Sequence, residues 1–85
     1  MPRDRIRVER VDEFVTRKPG VTQFIIEAET ERGFTQQYET VNPYLASLCD
    51  RSKDKWIDIV WRDSRFGRQV VDIPIVDLVE PQGVL

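Results

Sequence analysis

The stretch VTQFIIEAETERGFTQQYETVNP, residues 21–43, decides how this chain folds. Two alternating runs, 21–30 and 34–41, flank Glu31-Arg32-Gly33, and Gly33 suits the left-handed last position of a three-residue hairpin loop. Setting Thr30 opposite Phe34 places Ala28 against Gln36, Ile26 against Tyr38 and Phe24 against Thr40. Phe24, Ile26, Ala28, Phe34 and Tyr38 then share one face, the expected core side. Gln23, Ile25, Glu27, Glu29, Thr35, Gln37 and Glu39 take the other, which so carries carboxylates and no lysine, arginine or aromatic ring. Asn42 is a good N-cap and Pro43 fits the first helical position. Leu45, Leu48 and Cys49 follow at i, i+3, i+4 spacing, one apolar stripe suited to closing one end of a core.

Upstream, residues 5–15 read as a strand whose alternation slips once: Ile6 and Val8 share a face, then Val11 and Val15 take over, with Phe14 off that second pattern. A bulge or sharp bend between Glu9 and Asp12 produces such a phase change; an irregular edge strand is the alternative. Pro19-Gly20 turns the chain into the hairpin. Downstream, residues 56–62 alternate with Ile57, Ile59 and Trp61 on one face, and a tight turn is expected from Asp63 to Gly67. The last strand is expected over 69–79 with Val71, Ile73 and Ile75 inward; Pro74, lacking an amide hydrogen, requires an edge or an interruption.

The chain has 85 residues, a third of them charged and 40% hydrophobic, a globular composition. A chain this short makes one domain and buries roughly 60% of its unfolded surface. No run approaches the ~20 apolar residues of a membrane span. The charged start leads into no apolar segment, so no secretory signal is expected. The single cysteine leaves no internal disulfide, and a cytoplasmic protein is the plain expectation.

Strand, strand, strand, helix, strand, strand over residues 5–79, with the Gly33 hairpin and the Asn42-Pro43 cap, resembles the small OB-fold domains of single-strand-binding and related accessory proteins. The expected fold is all-β with one short helix, a five-stranded OB-like barrel. An SH3-like or split barrel is the alternative. The whole of 1–85 is read as a single OB-like domain, with an ordered core about 5–79 and a loose tail 80–85.

Enzymatic chemistry has little to work with. Histidine, the commonest general base and metal ligand, is absent from the sequence. Cys49 sits on the helix's apolar stripe, and Ser47, Ser52 and Ser64 have no evident base. No enzyme activity, metal or small-molecule cofactor is expected.

Two kinds of binding remain. The resemblance implies a ligand crossing the second and third strands between the first-to-second and fourth-to-fifth strand loops. Those loops carry Arg17 and Lys18, and Arg62, Arg65 and Arg68 around Phe66, a set suited to phosphates and one stacked base. The acidic face between them, and a formal net charge of −2, oppose single-stranded nucleic acid. A protein partner or a second copy fits that face better, with Ile25 among Glu27, Gln37 and Glu39, and with Trp56 expected to be partly exposed beside Lys53 and Lys55. The leading expectation is a non-enzymatic module that binds a protein or itself; weak single-stranded nucleic-acid binding is the alternative.

Overall fold

The computed structural model describes residues 2–17, 19–65 and 67–74. Its elements are β1 (Arg3–Val15), β2 (Thr22–Thr30), β3 (Thr35–Thr40), α1 (Pro43–Arg51), β4 (Trp56–Ser64) and β5 (Gly67–Asp72). The strands close in the order β1-β2-β3-β5-β4, with β4 returning to β1 and a parallel contact, Glu39 with Gln69, joining β3 to β5. This is the expected five-stranded closed barrel with one short helix between β3 and β4, an arrangement compatible with an OB-like fold.

The register of β2 on β3 is the one the sequence dictates: Phe24 opposite Thr40, Ile26 opposite Tyr38, Ala28 opposite Gln36. Gly33 holds a φ of +91°, its N–H donating to Thr30 O at 2.9 Å while the Thr30 N–H donates to Phe34 O at 2.9 Å. Ile26, Ala28 and Tyr38 are fully buried. Phe34 departs from the expected core: it lies in the turn before β3 begins, beyond the barrel wall, and is 49% exposed. Phe24 is only partly buried.

β1 carries the phase slip as a bulge. Val8 faces Ala28 and Arg10 faces Glu27, so Glu9 is the extra residue. The strand is not an edge, because Ile6 and Arg7 pair with β2 on one side and with Ile57 and Trp56 of β4 on the other. A strand shared by both neighbours must coil to close a small barrel, and a bulge supplies that added twist. Beyond it Val11 packs on the core, whereas Val15 is 92% exposed at the strand's end.

A second slip, which the alternation does not reveal, falls in β5. Val60 pairs with Asp72 but Trp61 with Val70, leaving Val71 as the extra residue. The inward side chains are therefore Val70 and Ile73, and Val71 is only partly buried. Strand β5 ends at Asp72, before Pro74, so that proline removes no ladder hydrogen bond. The expected continuation to 79, inward Ile75 and the tail 80–85 lie outside the described residues.

α1 begins as expected: the Asn42 side chain accepts from the Tyr44 N–H at 2.9 Å and the Leu45 N–H at 3.4 Å, and Pro43 occupies the first turn. Leu45, Ala46, Leu48 and Cys49 are buried, and Leu45, Leu48 and Cys49 join Ile6, Val8, Ile57 and Ile59 in one core. Ser52 caps the end, and Asp54, at φ +68°, turns the chain into β4. Among the described residues no helix is long and apolar enough to cross a membrane.

Candidate interaction surfaces

Directly opposed residues in an antiparallel ladder share a face. The outer face of β2 and β3 is therefore continued onto β1 by Arg7 opposite Glu29, Arg10 opposite Glu27, Asp12 opposite Ile25 and Phe14 opposite Gln23. The bulge at Glu9 decides this membership, and for that reason the hairpin alone gave an incomplete account of the face. Arg7 ion-pairs with Glu29; Arg10 reaches Asp12 at 3.0 Å and Glu27 at 3.3 Å. Glu39 accepts from Gln23 at 2.5 Å and from Gln69 at 3.2 Å. The expected repulsive carboxylates are thus each engaged by a donor from a neighbouring strand.

Aromatic rings are present on this face after all. Phe14 is 57% exposed, and Trp56, opposite Arg7 on β4, is 38% exposed with the Arg7 guanidinium 5.6 Å from its ring centre. Ile25 is partly buried between them and Gln37 is exposed. The face is a mosaic of internally paired charge with separated apolar groups.

The strand ends that carry the basic loops share one corner of this mosaic. Glu39 holds Gln23, at the start of β2, and Gln69, near the start of β5; a Cβ on Gly67 would lie 3.2 Å from the Glu39 carboxylate. The bases of the β1–β2 and β4–β5 loops are therefore tied to the same side chain. Arg17, Arg62 and Arg65 are exposed, while Lys18 and Phe66 lie outside the described residues. Arg68 is not part of the same surface as Arg62. Arg62 opposes Gln69, on the outer face, whereas Arg68 opposes Asp63 one step along the ladder and turns the other way. Its guanidinium lies 5.6 Å from the Trp61 ring centre.

Behind Trp61 is a polar network. The Tyr38 hydroxyl donates to Asp4 Oδ2 at 2.5 Å and accepts from Gln36 Nε2 at 2.9 Å. Burial, and next the hydrogen bond to Asp4, pushes the phenol well above its ordinary range, so it stays a donor. Trp61 meets Tyr38 edge-on, with centroids 6.4 Å apart, and its indole N–H is buried without an acceptor.

The reactive groups are disposed for packing. Cys49 is fully buried, and desolvation, followed by the charge of Asp50, pushes its thiol up to about 12, so no thiolate forms near neutrality. Among the described residues no three carboxylates or thiols are grouped to hold a metal. No protein-family model matches the chain, nor does any curated protein or solved structure.

Proposed function

We propose that this domain is a non-enzymatic interaction module that binds a protein partner, or a second copy of itself, on the outer face of β1, β2 and β3. One observation carries the reading: both arginines of that face are ion-paired within the sheet, Arg7 with Glu29 and Arg10 with Glu27 and Asp12, and Glu39 is held by Gln23 and Gln69, around exposed Phe14 and half-buried Ile25. A surface with no spare cation and an excess of carboxylate does not attract a polyanion, while separated apolar anchors with a polar surround suit a protein. The buried, protonated Cys49 and the absence of histidine from the sequence support a role without catalysis. Native-source lysate passed over immobilised domain should yield a partner that Ile25→Glu fails to retain, or light scattering should show an oligomer that Ile25→Glu dissociates. A monomer that retains nothing, or retains the same proteins with Ile25→Glu, contradicts the reading.

A second reading, weak single-stranded nucleic-acid binding, is favoured by the attachment of both basic loops to Glu39. It draws on Arg17, Lys18, Arg62, Arg65 and Phe66, with Arg68 set apart by its orientation. Fluorescence anisotropy of a labelled mixed-sequence strand decides it. Affinity that falls steeply with salt and disappears in Arg62→Glu/Arg65→Glu supports this reading. No binding at low salt removes it.

A further inference from the structure

The end of the barrel opposite α1 holds a groove of about 380 Å³, between the start of β1, the β2–β3 turn and the Trp61–Arg68 pair. Four arginines are among its lining residues, Arg3, Arg5, Arg32 and Arg68, with two acids, Asp4 and Glu31. Two of those six charges are already committed. Arg5 is held by Asp58 at 3.2 Å, and Asp4 takes the Tyr38 hydroxyl. Arg3, Arg32 and Arg68 have no ion-pair partner among the described residues, in contrast to Arg7 and Arg10 on the outer face.

The groups without a partner among the described residues are mostly donors, three guanidiniums and the Trp61 indole, against the one carboxylate of Glu31. Guanidinium and indole N–H groups donate and have no capacity to accept. Arg68 is partly buried and positioned over the Trp61 ring, whose own N–H has no acceptor. Guanidiniums outnumber carboxylates here even with Asp4 and Glu31 counted, which favours a ligand that supplies acceptor oxygens and negative charge. A single carboxylate is satisfied by one bidentate arginine, whereas several unpaired guanidiniums suit a dianion with three exposed oxygens. The half-exposed ring of Phe34 at the rim offers a flat apolar surface for whatever carries that anion.

We infer that this groove is a phosphate site, taking the phosphomonoester dianion of a small ligand on Arg3, Arg32 and Arg68 with Trp61 as its floor. The site stands apart from the outer face proposed for protein binding, and neither assignment depends on the other.

Trp61 supplies the readout. The chain has two tryptophans, so Trp56→Phe leaves Trp61 as the sole indole emitter. In that background, at low salt, inorganic phosphate and adenosine monophosphate should each change the emission saturably; adenosine and acetate should not. Tighter binding of the nucleotide than of phosphate identifies a nucleotide as the source, with the base on Phe34. Equal binding identifies the phosphate group alone. Arg68→Gln should weaken either by roughly 10- to 100-fold, the loss expected when a charge-assisted hydrogen bond is removed. Arg3→Gln/Arg32→Gln, whose side chains are exposed, gives the same test without touching the Trp61 contact. No saturable change with either phosphate, an equal response to acetate, or unaltered affinity in both folded variants overturns the inference.

Discussion

Arg7 and Arg10 on the outer sheet face and Arg3 and Arg32 at the barrel mouth carry the same charged group in opposite circumstances. The first two sit across the ladder from Glu29 and Glu27 and are ion-paired there. The other two line a groove and have no such partner among the described residues. The difference arises from strand geometry. On the outer face β1 runs beside β2 for nearly its whole length, so alternate side chains of opposite sign are brought together by register. At the mouth the strands end, Asp63 lies across the ladder from Arg68 without an ion pair to it, and arginines from β1, a turn and β5 line one groove.

The contrast presumes a rigid barrel that keeps the two regions apart. Ile26→Ala tests that most severely, since Ile26 is fully buried in the core. It should lower unfolding free energy in urea by about 2–5 kcal/mol, a large share of the stability of so small a domain. A loss under about 1 kcal/mol would mean the core is looser than described. Tyr38→Phe is next. It takes the hydroxyl from Asp4 and Gln36 behind the mouth and should cost about 1–3 kcal/mol by the same measurement. No loss would show that this network does not hold the start of β1 in place.

The two smaller effects set the regions directly against each other. Arg10→Ala leaves Glu27 and Asp12 unpaired on a solvent-facing sheet and should destabilise by about 0.2–1 kcal/mol, an effect that shrinks in high salt. Arg32→Ala should change stability by no more than about 0.5 kcal/mol, because no folded-state partner is lost. If thermal melts ranked them the other way, the division into paired and unpaired arginines would fail.

Much of the fold was legible because short-range chemistry fixed it. Gly33 sets the turn, the turn sets the register, and the register buries Ile26, Ala28 and Tyr38. Asn42 and Pro43 likewise mark where the helix begins. The slip in β1 was visible as a broken alternation. The partners it creates for Arg7, Arg10 and Phe14 were not, because they depend on which residue is extruded. In β5 the run Val70-Val71 reads equally well in either phase, and only pairing with β4 selects Val70. That choice also turns Arg68 away from Arg62, so the loop arginines, adjacent in sequence, belong to two surfaces. The barrel mouth was hidden for a further reason: Arg3, Arg32, Trp61 and Arg68 come from four separate segments with no common spacing.

Two-dimensional 1H–15N NMR during a phosphate titration, following backbone amides, arginine Nε–Hε groups and indole N–H groups, tests the central contrast most directly. Shifts should be confined to the Trp61 indole and to Arg3, Arg32 and Arg68, with Arg7, Arg10 and the Trp56 indole unmoved. Shifts as large at Arg7 and Arg10, or none at the mouth, would contradict it.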